Sequence, residues 1–84
     1  MPTILTAEEL KELVELALDH ELPDFEMDAN LYEVYGFDSM AAVALFVELQ
    51  LRTGVEASVE VAPLLQTGTQ IARFVEERTA GVTS

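Results

Sequence analysis

The chain has 84 residues, half of them hydrophobic, and no cysteine. That makes one domain, residues 1–84, with an apolar core, and it excludes disulfides, a thiolate metal site and a cysteine nucleophile. Sixteen acids against Lys11, Arg52, Arg73 and Arg78 give a formal net charge of −12, so nucleic acid and anionic membranes are repelled and basic protein surfaces attracted.

In chain order, Thr6 and Glu9 form a capping box, with Leu5 placed to staple onto Leu10. Leu10, Leu13, Val14, Ala17 and Leu18 follow at the spacing of one buried helical face, with Glu8, Glu12, Glu15 and Asp19 on the wet side. Pro23 forbids continuation, so the first helix is expected from about Ala7 to His20. Pro23 to Asp38 is a long connection, expected to be ordered and pinned by Phe25, Met27, Leu31, Val34, Tyr35 and Phe37. A helical turn near Leu31 to Val34 would be capped by Asn30 or Asp28. The second helix is expected from Ser39 to Thr53, with Gly54 after it.

That second helix carries two apolar stripes. Ala42, Leu45, Phe46 and Leu49 repeat at core spacing and are assigned to the interior. Met40, Val43, Ala44, Val47 and Leu51 form the other stripe, which is hard for an 84-residue bundle to cover as well and is expected to stay at least partly exposed, the alternative being that the long loop lies over it. A short third helix is expected near Val59 to Leu65, although Pro63 would break its middle unless the helix is very short. Thr67 and Gln70 form a second capping box before the last helix, whose buried face is Ile71, Phe74 and Val75. Arg78 suits its C-terminal dipole, Gly81 ends it, and residues 81–84 are expected to fray. The fold class is therefore all-α: a four-helix bundle of three long helices and one short, with a long ordered loop between the first two long ones. No secretory signal is visible, so a cytoplasmic location is expected.

Gly36-Phe37-Asp38-Ser39-Met40 stands directly before the apolar run of the second helix. Asp38 and Ser39 thus fall at a helix start, where N–H groups lack internal partners and the dipole is positive. An anion attached there, a phosphate especially, is stabilised. Gly36 allows a tight turn and the approach of another surface. These five residues resemble the Gly-x-Asp-Ser-Leu motif of acyl carrier proteins. The likeness extends to Leu31-Tyr32-Glu33 before the motif, to Gly54-Val55-Glu56 after the second helix, and to Thr67–Val75.

The resemblance implies that Ser39 is esterified with 4′-phosphopantetheine taken from coenzyme A, with Asp38 and Gly36 as its immediate setting. It implies a phosphopantetheinyl transferase as first partner, then acyl-loading, condensing and tailoring enzymes. A monomer is expected, with no nucleic acid, membrane or metal. The second helix has Glu48 as its only acid, where fatty-acid carriers are usually acidic, and Ala41, Ala44 and Leu51 stand where charge is common. Tyr35 replaces a smaller aliphatic. These departures point to a stand-alone carrier of a polyketide-type or specialised acyl pathway. An aminoacyl or peptidyl carrier is the alternative, although its usual Gly-Gly-His/Asp-Ser is contradicted by Phe37.

No catalytic residue is assigned. A nucleophilic Ser39 needs a base within reach, and His20, the single histidine, lies across the long loop in sequence. The Asp28–Ser39 segment has the length of a calcium loop, but Glu33 replaces its glycine and Ser39 its bidentate glutamate. An acidic helical module that binds a partner and carries nothing is the alternative of another class. Partner docking is expected on Met40, Val43 and Val47, beside the attachment point.

Overall fold

A computed structural model describes residues 3–80, apart from the Val59 side chain. Among the described residues, four α-helices and one 3₁₀ helix run in the order α1 Ala7–Leu18, α2 Leu31–Val34, α3 Ser39–Thr53, a 3₁₀ helix Val59–Leu64, and α4 Gly68–Ala80. Among the described residues there is no strand, as the periodicities predict. The expected stop at Gly81 and the tail at 81–84 lie outside the described residues.

α1 begins where its capping box places it. The Glu9 N–H donates to Thr6 Oγ1 at 3.1 Å, and the Thr6 N–H donates to Glu9 Oε1 at 3.0 Å. The Thr6 backbone N–H, and after it the Thr6 hydroxyl, hold the Glu9 carboxyl below the ordinary glutamate range. The helix stops at Leu18, short of the expected His20. Asp19 turns left-handed at φ 60°, and the Glu15 carbonyl accepts both the Asp19 and the His20 N–H. Aspartate tolerates that conformation better than most side chains. The Glu15 carboxylate then accepts the Leu22 N–H at 2.7 Å and fixes the start of the long loop.

α1 packs chiefly on α3. Leu10, Leu13 and Val14 share one core with Ala42, Leu45, Phe46 and Leu49, joined by Ile71 and Val75 of α4. Arg52 near the end of α3 bonds Glu12 of α1 at 3.1 Å. This pairing sets the N-terminal half of α1 beside the last turn of α3, away from Ser39. Both partners are well exposed, so the pair contributes under about 1 kcal/mol. Phe74, expected in the buried face, is only half-buried; the Arg78 guanidinium sits 4.7 Å above its ring. Ala41, grouped above with positions open to charge, is buried.

The long loop is ordered by polar contacts as much as by its apolar side chains. Asn30 Oδ1 accepts from the Tyr32 and Glu33 N–H groups and so caps α2. The Leu31 N–H donates to the Gln66 carbonyl at 2.7 Å, and the Asn30 amide donates to Gln66 Oε1 at 3.0 Å. Thr69 donates its N–H to the Met27 carbonyl at 3.0 Å and its hydroxyl to Asp28 Oδ1 at 2.7 Å. The loop closes over the start of α4 because residue 68 is glycine: a Cβ there would come within 2.8 Å of Met27 Sδ and 3.3 Å of Phe25 Cζ. The second capping box is present, with Gln70 N–H to Thr67 Oγ1 at 3.1 Å and Thr67 N–H to Gln70 Oε1 at 3.2 Å. The expected third helix is 3₁₀ and ends at Leu64. Pro63 fits because this short, tight helix asks less of the backbone than an α-helix through the same residue.

Candidate functional site

The start of α3 is set by Asp38. Its backbone is extended, and its Oδ1 accepts the Ala41 N–H at 2.8 Å. The first intrahelical bond runs from the Ala42 N–H to the Asp38 carbonyl at 2.9 Å. Asp38 is therefore the N-cap and Ser39 the first helical residue. The Ser39 and Met40 N–H groups then have no intrahelical acceptor. They lie at the positive end of a 15-residue helix. The Asp38 carboxylate offsets part of that potential, so a phosphate here gains from the two free N–H donors more than from the dipole.

Ser39 is exposed, as are Asp38 and Gly36. Among the described residues no hydrogen bond engages the Ser39 hydroxyl. The His20 ring is engaged elsewhere, with Nδ1 3.1 Å from the Glu21 carbonyl oxygen. No group of acids or histidine among the described residues could hold a metal.

The turn before Ser39 is built by its neighbours. Gly36 adopts φ +70°, and a Cβ at that position would meet no atom within 4 Å. Glycine is needed here for its backbone conformation, and the open space leaves room for another surface. Phe37 is buried, its ring edge-on to Tyr32 at 5.6 Å, and its N–H donates to the Leu31 carbonyl at 3.1 Å. The same carbonyl accepts the Tyr35 N–H at 3.1 Å. Burial raises the Tyr32 phenol above its ordinary pKa.

Beside Ser39 lies a small cleft of about 260 Å³ lined by Tyr32, Ala42, Ala62 and Pro63. Sequence reasoning missed these four as neighbours of Ser39. Tyr32 precedes the motif and Ala62-Pro63 belong to the 3₁₀ helix, so only the tertiary fold joins them. The exposed serine, the two open N–H groups and the apolar cleft together suit a phosphodiester bearing a long, partly apolar arm.

The two stripes of α3 separate into a buried and an exposed face, with Phe46 on the buried one. Ala42, Leu45, Phe46 and Leu49 are buried, while Met40 is 82% and Val47 52% exposed, with Val43 and Leu51 also exposed. Ala44 is half-buried between the two. The apolar surface therefore starts at the residue after Ser39 and runs the length of the helix.

The family model described as a phosphopantetheine attachment site matches residues 8–76. That span covers α1 to most of α4 and includes the whole Gly36–Met40 turn. No curated protein matches the chain.

Proposed function

Because the chain belongs to the phosphopantetheine-attachment family, whose members carry a covalent 4′-phosphopantetheine, we propose that Ser39 bears that group here. Domains of this family carry a prosthetic arm and are not themselves catalytic. The arm's terminal thiol holds acyl groups as thioesters. What this chain supplies is an exposed hydroxyl, two N–H donors for the phosphate, and a turn that holds both outward. The base and the coenzyme A come with a phosphopantetheinyl transferase. The observation that carries the assignment is the free Ser39 hydroxyl at the first position of α3, beside an apolar cleft.

The cargo we assign is acyl, in a polyketide-type or specialised fatty-acyl pathway. In support, Phe37 fills the core where the aminoacyl carriers' second glycine would stand, and α3 offers partners little charge. Loading, condensing and tailoring enzymes meet the apolar stripe Met40, Val43 and Val47, and acids elsewhere steer them at long range.

The test is incubation with coenzyme A and a broad-specificity transferase, followed by intact-protein and peptide mass spectrometry. The phosphopantetheine mass is expected on the peptide containing Ser39. In Ser39→Ala it is expected to vanish while the melting curve barely moves. The helix cap is Asp38, so the substitution falls within about ±0.5 kcal/mol. Modification of the alanine variant would move the assignment to another residue, and an unmodified wild type would favour a module that carries nothing.

A further inference from the structure

Gly36 is held by nothing of its own. Its left-handed backbone turns the chain in open space, with no atom near the position a side chain would take. The order of the turn must then come from the residues on either side. On one side Phe37 is anchored in the core against Tyr32. On the other side stands Tyr35, whose side chain leaves the turn altogether and reaches back into the long loop.

There the Tyr35 hydroxyl accepts the Glu26 N–H at 2.8 Å and donates to the Asp24 carbonyl at 3.4 Å. Its ring stacks on Phe25, with centroids 5.5 Å apart and planes 27° off parallel. One side chain thus engages three consecutive loop residues. Those residues are themselves fixed at both ends. Leu22 is bound through its N–H to the Glu15 carboxylate of α1, and Met27 and Asp28 are bound to Thr69 at the start of α4. Phe25 also rests against Gly68.

We propose that Tyr35 is a positioning residue for attachment: its phenol clamps the Gly36–Asp38 turn to the long loop and so holds Ser39 outward at the start of α3. The inference rests on Ser39 being the attachment residue. A clamp of this kind sets the fraction of molecules whose turn is ready for the transferase. When that fraction falls, apparent affinity falls with it, while the chemical step on the bound complex is untouched.

The experiment compares Tyr35→Phe with Thr6→Ala. The first variant removes the hydroxyl and keeps the ring stack. The second removes the α1 cap at the far end of the bundle and gives a comparable loss of melting temperature. Both are assayed well below their melting points, as judged by circular dichroism, with transferase and coenzyme A. In Tyr35→Phe the loss of one hydrogen bond is expected to raise the ratio of open to ready turns about fivefold, and the KM for the carrier to rise, by less than that factor, as the ready fraction falls, with kcat unchanged. Thr6→Ala is expected to match wild type in both constants. Amide hydrogen exchange of the unmodified proteins supplies a readout that needs no transferase. The Phe37 and Ala41 amides, bonded to Leu31 and Asp38, are expected to exchange faster in Tyr35→Phe, by a factor that multiplies with the KM rise to about fivefold, and at the wild-type rate in Thr6→Ala. Exchange at those amides and KM both at their wild-type values in Tyr35→Phe overturn the clamp, as do equal shifts of both readouts in the two variants. If wild type is not loaded at all, the attachment reading fails, and the exchange rates still decide whether Tyr35 orders the turn.

Discussion

Adjacent residues on α3, Phe46 and Val47, give the sharpest test of which stripe meets partners. Phe46 is 6% exposed and belongs to the core; Val47 is 52% exposed. Phe46→Lys removes a buried ring, which alone costs about 3–5 kcal/mol, and places an ammonium where nothing pairs it. A domain of this size has on the order of 4–13 kcal/mol in total, so this variant is expected to be largely unfolded at 25 °C. Val47→Lys loses little, because the valine is already half in water. The lysine stem can lie along the same surface, and lysine is the better helix former by a few tenths of a kcal/mol. The net change is within about 0.5 kcal/mol, or less than roughly 4 °C in melting temperature for a chain this short. Against a partner the ranking reverses. A charge introduced into an apolar contact costs about 1.5–3 kcal/mol of binding, a rise of roughly 10- to 150-fold in Kd. A basic partner surface would also repel lysine, so Val47→Gln separates lost apolar burial from Coulomb repulsion. The assays are thermal denaturation by circular dichroism and the transferase KM for each variant. The reasoning is refuted if Val47→Lys melts far below wild type while Phe46→Lys does not, or if Val47→Gln and Val47→Lys both keep the wild-type KM.

Two further outcomes follow from the backbone and from Glu9. Gly36→Ala is expected to lower stability by about 1–2 kcal/mol, the cost of a left-handed alanine, and Gly36→Asn to recover a good part of it. If crowding rather than conformation were at work, the larger asparagine would melt lower than alanine. Glu9 has its folded pKa depressed by the Thr6 N–H and hydroxyl. Its contribution is present above the ordinary glutamate pKa and is lost as pH falls through the lowered folded value. Glu9→Gln keeps a capping partner but not the charge, so the melting-temperature gap to wild type is expected to shrink as pH drops from neutral to about 3. A gap that stays constant or widens in acid would contradict the assigned cause.

The parts of this fold that could be read in advance are those decided by neighbours in sequence. Both ends of α3 follow from Asp38 and Gly54, each acting on the backbone within four residues. The capping boxes at Thr6–Glu9 and Thr67–Gln70 are equally local. Both stripes of α3 repeat at i, i+3, i+4, i+7, so what separated them was the large Phe46 ring in the inner one. What could not be read is the tertiary work of the long loop. Leu31 to Gln66 and Thr69 to Met27 join residues far apart in the chain, and no local pattern announces them. Gly68 looks like turn punctuation between two threonines, and its role as a contact point for Met27 and Phe25 is a matter of three-dimensional approach. The early stop of α1 turned on Asp19 going left-handed, a choice that Pro23 limited without fixing.

The site divides along the same line, and the division bears on how the chain stays useful to partners. The placement of Ser39, Asp38 and Gly36 was legible because it is set by a local helix start. The apolar face beside them raises a different question: what, in the monomer expected from the sequence, would oppose the pairing of two copies through exposed Met40, Val43, Val47 and Leu51. Their combined surface is the kind that associates. A second copy, however, brings another formal charge of −12. Within a Debye length of about 8 Å at physiological salt, repulsion between such copies persists as their faces approach. A partner ringed by basic residues meets the opposite situation, attraction at range followed by apolar burial at contact. On the docking proposed above, few charges on α3 and many elsewhere serve one arrangement. In the proposed docking, the acids on the rest of the bundle choose the sign of the partner, and the sparsely charged helix beside Ser39 supplies the contact.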